Sequence, residues 1–518
     1  MKKQNSFIKA SAILAFSSIM VKVISAVYRI PLTRMLGPDI MGRYSAVFNM
    51  FMPFFSFATV GISASVSGHT AKEKCCEGVV SVRRAAYLLY ILSGLSLSFA
   101  FLFFSKFYAD LRHNDMFFTG SVILAPAIIL SVIENIFKGE SQGRMDMLPT
   151  ARANVIESLC KAVIGLSGVW YIKKFCFSGK NEKSLVVCFA AVTISGVFST
   201  AFLFLNREKQ KIGKQKALQT KEKVKSLFKM SFPMALSALV ISSANFFDTA
   251  VCVPKIADLP YSEITNSFIG ASFKGAADMS MHLFGIWQGM ALTIFNLVPA
   301  AVASAGTAGL PVLSKLCGEN NTEKLNKSAQ KLFNITAFAA FPATAFIFCF
   351  AQDIIKLIFD TSFSGAVVAS VLLKIVITGC IFACFNSVFN SIMYSVGKSD
   401  KVFFILLIGT SAKILISWLL CGISWINIRA FAVSTVCFHT IIFLMSISAV
   451  KKAGVRFDFL KISASPLTSS VVSVFIVKLI NNVWLCGLPL ILQLFFSGVI
   501  FSLLYFLIIL FLGFSVDK

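Results

Sequence analysis

The sequence predicts an all-α polytopic membrane protein: about 14 transmembrane helices, in two six-helix lobes followed by two C-terminal helices. Three observations carry this expectation. Of the 518 residues, 57% are hydrophobic and only 14% charged, where a soluble chain carries about 25% charged residues. Apolar runs near or above about 18 residues, enough to cross a bilayer as helix, recur from end to end. The polar intervals between them are too short to fold as a separate soluble domain.

Taken in order, the spans are expected to centre near residues 18, 55, 94, 126, 163, 195, 241, 296, 341, 375, 412, 438, 474 and 502. The first is read as a span and not a cleaved signal, because Lys22 interrupts its apolar core and it runs into RIPLTRMLG instead of a small-residue cleavage site. If the N-terminus is cytoplasmic, the cytoplasmic loops and ends hold 30 Lys/Arg and the opposite set 13. Basic residues gather on the cytoplasmic side. The bias therefore places both termini in the cytoplasm, in the cell membrane. It also accounts for much of the +25 net charge without nucleic acid as a partner.

The most basic stretch, Arg207 to Lys229, separates residues 1–206, expected as the N-terminal six-helix lobe, from 230–450, expected as the C-terminal one. It is read as a solvated cytoplasmic linker (207–229) and topology anchor, with contact to anionic headgroups as the alternative. Residues 451–518 supply two extra helices. Markers repeat in order across the linker. Phe7-Ile-Lys9-Ala-Ser11 matches Leu227-Phe-Lys229-Met-Ser231, and Pro53 with GISASVSG matches Pro299 with AAVASAGTAG. GESQGR (Gly139–Arg144) matches SVGKSD (Ser395–Asp400). An even number of spans before the linker makes these parallel repeats, the build of transporters that bind substrate between their halves. The two small-residue strings suit close helix approach in lipid, where packing drives association; sliding contacts are the alternative reading.

The first span carries the least expected feature. Ser11, Ser18, Lys22, Ser25 and Arg29 fall within about 60° of one another on one helix face. A cation at mid-membrane depth costs at least about 2.5 kcal/mol and normally faces a bundle interior or a watery cavity. Two on one face suggest a compartment prepared for an anion. The competing reading has Lys22 and Arg29 snorkelling to the interfaces or pairing with carboxylates elsewhere, and it is more credible for Arg29, near the helix end.

Other intramembrane ionisable groups are few. Glu157 and Lys161 stand four apart with the acid N-terminal, the favourable order for an ion pair. Asp248, beside Ser242, Ser243, Asn245 and Thr249, could bind a coupling cation or proton, pair with a cation of the first half, or cap a helix end. Glu134 is a similar candidate. Lys374, Lys413 and Lys478 are open between burial and snorkelling.

Signatures of catalysis are poor. The four histidines are scattered, no phosphate-binding glycine loop exists, and Cys75-Cys76 and Cys380-x-x-x-Cys384 lack partners for a zinc site. No enzyme activity, catalytic residue, metal or cofactor is therefore expected.

At RIPLTRMLGPDIMGRYSAVFNMFMPFF (Arg29–Phe55) the chain resembles the polysaccharide-biosynthesis flippases of the stage V sporulation protein B type, of the multidrug/oligosaccharidyl-lipid/polysaccharide exporter superfamily. Gly61 and the small residues after it, Gln142-Gly143, Asp248, LFGIWQGMA (Leu283–Ala291), Pro299, Pro311 with Ser314-Lys315, and Gly397-Lys398 continue the likeness. It covers about residues 5 to 450; the last two spans match only in being apolar. The resemblance implies a fourteen-helix flippase that moves an undecaprenyl-pyrophosphate-linked sugar, such as lipid II, by alternating access. It implies substrate contacts at Lys22 and Arg34, and Arg29 of the basic face lies between them. Lys at position 22 departs from the more usual Arg, which keeps the charge but weakens a bidentate grip on phosphate. Partners implied are the lipid-linked sugar, membrane lipids, a coupling ion and cell-wall synthesis enzymes. A cation-coupled multidrug antiporter of the same superfamily is the alternative, and the scarcity of intramembrane acids argues against it. A non-transporting scaffold that recruits wall-synthesis enzymes is a third reading, favoured only if the cavity residues are dispensable.

Overall fold

A computed structural model describes the chain except residues 1, 74–75, 113, 177–178, 207–216, 261, 263–277, 304–312, 314–321, 360–362, 456, 486 and 515–518. The described residues are helices and short connections. In chain order they are α1 (Lys2–Thr59), α2 (Ile62–Thr70), α3 (Gly78–Arg112), α4 (Met116–Gly143), α5 (Leu148–Phe175), α6 (Lys180–Leu205) and α7 (Lys221–Ala257). There follow α8 (Met279–Ala303), α9 (Glu323–Cys349), α10 (Ala351–Phe359), α11 (Gly365–Ile377), α12 (Cys380–Ser395), α13 (Asp400–Cys421), α14 (Arg429–Lys452), α15 (Phe459–Leu485) and α16 (Leu490–Phe511).

Among the described residues, 12 helices are long and apolar enough to cross a membrane, or up to 13 if α11 and α12, bent by 44° about their break, form one span. The protein is a multi-pass helical membrane protein, with a count close to the fourteen expected. Part of the difference lies in α1, which counts as a single run. Gly37 breaks it with φ +76° and ψ 170°, a region open essentially to glycine alone, and Pro38 disfavours α geometry at the residue before it. The Lys161 ammonium lies 6.0 Å from the Tyr28 ring and 5.5 Å from the Phe48 ring. The two rings are therefore within about 12 Å of each other, whereas 20 residues of unbroken helix would separate them by about 30 Å. Hence α1 folds back at Gly37 into two antiparallel limbs.

The contacts divide the chain into two compact units, residues 1–36 with 43–250, and residues 37–42 with 251–518. Residues 207–216 of the expected linker lie outside the described residues, and from Ala217 the chain is already helical and continuous with α7. In the first unit the string Gly61–Gly68 packs tightly. A Cβ at Gly139 would meet the Ser63 carbonyl oxygen at 2.8 Å, and one at Gly143 the Thr70 Cβ at 2.6 Å. The spacing Gly139-x-x-x-Gly143 thus lets α4 approach α2 backbone to backbone, as small residues do between helices in lipid. Its counterpart AAVASAGTAG falls largely outside the described residues.

The second unit is held by aromatic packing. Phe333 lies 4.6 Å from Phe457 and 5.3 Å from Phe389, and Phe443 lies 5.0 Å from Phe459, centroid to centroid. Residues 451–518 belong to this unit: α15 packs on α9, and the Tyr505 hydroxyl donates to the Phe338 carbonyl at 3.0 Å. The segment 37–42 packs on the start of α8. A Cβ at Gly285 would fall 1.8 Å from the Pro38 carbonyl oxygen, and one at Gly42 would fall 2.0 Å from that of Met281. His282 Nδ1 lies 2.9 Å from Asp39 Oδ1 beside these contacts. Glycine at Gly42 and Gly285 is thus required by closeness, which gives a physical reason for LGPDIMG and LFG within the two resemblance motifs.

A basic face and a charge network in the first unit

On the first limb of α1, Phe16, Val23 and Val27 are exposed, while Ser17, Tyr28, Leu32 and Thr33 are buried. On the same limb Ser18, Lys22 and Arg29 are half-buried; Ser25 is exposed, and the Ser11 side chain lies outside those described. Arg34 is exposed and lies about 140° around the helix from Arg29, off the predicted stripe. The structure thus keeps Lys22 and Arg29 on a common partly sheltered face and sets Arg34 apart from it.

Facing α1 is α5. A Cβ at Gly165 would meet the Tyr28 hydroxyl at 2.8 Å, so this glycine admits Tyr28 against α5. One turn earlier Lys161 places its ammonium over the rings of Tyr28 and Phe48. Those rings continue a stack in which Tyr44 lies 5.8 Å from Phe48 and 5.4 Å from Phe189. Arg29 follows Tyr28 in the chain, and the charges that act on Lys161 are Glu157 first and Arg29 second. Arg29, Lys161, Tyr28 and Tyr44 are therefore gathered from both limbs of α1 and from α5.

Glu157 and Lys161 act on each other electrostatically, as their spacing suggests, although among the described residues no ion-pair contact joins them within 4.0 Å. Glu157 Oε2 lies 4.0 Å from the ammonium of Lys138 on α4, which also meets Glu134 Oε1 at 2.6 Å. Glu134 is 2% exposed and also accepts from the Ser199 hydroxyl of α6. Lys138 thus holds two carboxylates from two helices. Burial of charge is tolerated when the charge is paired and hydrogen-bonded, and this arrangement supplies both conditions. Lys138 does not stand out in the sequence, although its spacing of four from Glu134 is a usable signal.

Asp248 is 2% exposed and opens a single π-helical turn, Asp248–Cys252; such turns occur often at functional sites. Beside it Asn49 Nδ2 donates to Thr249 Oγ1 at 3.1 Å, and the hydroxyls of Ser56 and Ser242 are 2.9 Å apart. The Ala250 carbonyl accepts from Arg112 at 3.1 Å. The polar run of α7 thus meets polar residues of the second limb of α1. Among the described residues no group of three or more His, Cys, Asp or Glu could hold a metal ion. Chemically, the arrangement offers cations on a partly sheltered face, flanked by aromatic rings and backed by carboxylates that are already engaged.

The profile described as "Polysaccharide biosynthesis protein" matches residues 7–317, and that described as "MatE" matches residues 261–419. The lipid II flippase MurJ of Bacillus subtilis (strain 168) is 21% identical over 365 residues, 65% of this chain and 63% of that protein. The chain thus spans less than two thirds of that relative's length. Stage V sporulation protein B of the same organism is 20% identical over 373 residues, 70% of this chain and 68% of that protein. A solved structure entitled "Lipid II flippase MurJ, inward closed conformation" superposes with a TM-score of 0.67 at 12% identity, covering 96% of this chain and 97% of that one. At that identity the likeness concerns the fold.

Proposed function

Since the chain belongs to the polysaccharide biosynthesis protein family, we propose that it is a flippase for an undecaprenyl-pyrophosphate-linked oligosaccharide, lipid II or a related cell-envelope precursor. It carries this substrate across the cytoplasmic membrane by alternating access, with both termini in the cytoplasm. The single observation that carries the reading is the basic face of α1, where Lys22 and Arg29 stand half-buried in a membrane-spanning helix.

The physical problem for any such transporter is the diphosphate. Each phosphate carries a charge whose transfer out of water is prohibitive unless it is paired. Ammonium and guanidinium groups replace lost water with charge-assisted hydrogen bonds, which are shorter and stronger than neutral ones. Lys22 and Arg29 then bind the diphosphate, Arg34 receives it at the exposed end of the limb, and the prenyl tail stays in lipid. Conformational exchange moves the headgroup only as far as its affinities for the two states differ. The reading assigns no catalytic residue, cofactor or resident metal.

The match to the MatE profile favours one second reading, a cation-coupled multidrug antiporter. It would use Asp248 or the Glu134–Glu157 pair for the coupling ion and would present carboxylates to a cationic drug. Reconstitution separates the two. Wild-type vesicles that flip a fluorescent lipid-linked oligosaccharide without driving dye efflux support the flippase; ion-driven efflux of a cationic dye without flipping replaces it.

A further inference from the structure

We propose that a groove between α13 and α14 binds an anionic phospholipid of the cytoplasmic leaflet, its phosphate between Lys401 and Lys452 and one acyl chain along the apolar wall beyond them. The inference goes beyond the flippase reading and does not depend on it. The two helices are antiparallel neighbours. A Cβ at Gly409 would meet Ile442 Cγ1 at 2.7 Å, and further along the pair the Ser417 hydroxyl donates to Ser434 Oγ at 2.8 Å. That register sets the first turn of α13 beside the last turn of α14, so Lys401 and Lys452 meet at one end. From there runs an open groove of about 480 Å³, lined by both lysines and by Phe404, Leu444, Met445 and Ser448. From Lys452 to Leu444 its lining follows α14 for about 12 Å.

The chemistry of the groove is graded along its length. Lys401 and Lys452 are exposed, and among the described residues neither joins an ion pair. The neighbouring charges are directed elsewhere: Lys451 lies 5.8 Å from the Phe457 ring centre, and Lys461 meets Asp458 at 3.9 Å. Asp400 shares the first turn of α13 but does not line the groove. Past the lysines, Phe404 and Leu444 are each 59% exposed, so this wall is left open among the described residues. The bias of basic residues sets the cationic mouth at the cytoplasmic interface, where basic pockets between membrane helices hold anionic headgroups. A lysine stem can lie along the wall while its ammonium meets the phosphate, and such charge-assisted hydrogen bonds exceed neutral ones in strength. A headgroup kept at the surface with its chain directed inward matches a groove that is cationic only at its mouth. A substrate that crosses the membrane would need cations deeper along its path, and here the only polar lining group beyond the lysines is Ser448. Bound there, the phosphate ties α13 to α14 close to Val402 and Val450, which are buried in the core of the second unit.

The test titrates phosphatidylglycerol, or phosphatidylcholine for comparison, into the delipidated full chain in detergent. It reads the thermal midpoint and, by native mass spectrometry, the lipid retained. A ligand that binds only the folded state stabilises it, so phosphatidylglycerol should raise the midpoint and phosphatidylcholine should leave it nearly unchanged. Lys401→Gln with Lys452→Gln should raise the half-saturating concentration at least about tenfold, the worth of one charge-assisted contact or more. Lys401→Arg with Lys452→Arg should keep the wild-type response. Lys221→Gln with Lys225→Gln removes the same charge from exposed lysines of α7 and should stay within about threefold of wild type, because exposed charges beyond a Debye length are screened. Ser448→Trp, at an exposed position, keeps both lysines but fills the groove, and should weaken the response as the Gln pair does. Wild-type saturation in Lys401→Gln with Lys452→Gln overturns the site, and so does an equal shift by phosphatidylcholine. An equal loss in the α7 pair assigns the effect to general surface charge and overturns it too. If undecaprenyl diphosphate saturates the same two lysines at lower concentration than phosphatidylglycerol, the groove belongs to the substrate and the phospholipid assignment falls.

Discussion

Three glycines provide a graded test of the backbone. At Gly487 an added Cβ meets nothing within 4 Å, at Gly37 it also meets nothing but φ is +76°, and at Gly285 it falls 1.8 Å from the Pro38 carbonyl oxygen. Gly487→Ala should therefore leave stability within about 0.5 kcal/mol of wild type, as ordinary surface changes do. Gly37→Ala should cost about 1–3 kcal/mol, the strain of a side chain in a glycine-only region. Gly285→Ala is the severe case. A carbon–oxygen contact of about 3.3 Å is the closest the two atoms tolerate, so the backbones must part by about 1.5 Å. The obstructing atom is backbone and cannot rotate away, so the cost lies at or beyond about 3 kcal/mol, the top of the usual overpacking range. Parting the backbones also strips His282 of Asp39, now 2.9 Å away. The assay is the thermal unfolding midpoint of detergent-solubilised protein at one scan rate, because such unfolding is often irreversible and its midpoint rate-dependent. The expected order is Gly487→Ala near wild type, then Gly37→Ala, then Gly285→Ala lowest. A midpoint for Gly285→Ala equal to that of Gly487→Ala would refute the close approach of segment 37–42 to α8.

Two further substitutions test the first unit. Gly143→Val should destabilise by about 2–3 kcal/mol in the same assay, because its Cβ would meet Thr70 Cβ at 2.6 Å and drive α4 from α2; a neutral result would contradict that packing. Glu134→Gln should cost about 1–3 kcal/mol, less than the 3–5 expected for stranding a buried cation, because Glu157 remains within 4.0 Å of Lys138. The double variant Glu134→Gln with Lys138→Met should recover part of that loss, a non-additivity that independent sites do not show.

Much of this fold is legible in the sequence because membrane helices announce themselves by length and hydropathy, and every expected centre falls on a described helix or, at residue 375, on one arm of the bent pair. The separate centres at 18 and 55 imply a break between them without naming Gly37, and the small-residue strings were legible as sites of close approach. The choice of partner was less so. Spacing along one helix names the neighbours a side chain could reach, and Glu157 with Lys161 is the natural pair by that rule. The pairing across helices depends on how α4, α5 and α6 are set against one another, and Lys138 reaches Glu157 only in the folded chain. The same limit hid Tyr28 and Phe48, ordinary apolar positions until the hairpin of α1 brings both beneath one ammonium. The π-helical turn at Asp248 carries no local signal at all. The basic face was readable because a charge in an apolar run is conspicuous wherever its partners lie.

The central claim is that the cations of α1 bind the substrate's diphosphate, and the most direct measurement is flipping of a lipid-linked oligosaccharide in vesicles by Lys22→Ala and Arg29→Ala, reconstituted at wild-type density. Loss of a charge-assisted contact worth about 1.5–3 kcal/mol predicts roughly a 10- to 150-fold loss of flipping at low substrate for each variant, at unchanged thermal midpoint. Flipping at the wild-type rate in both well-folded variants would contradict the account.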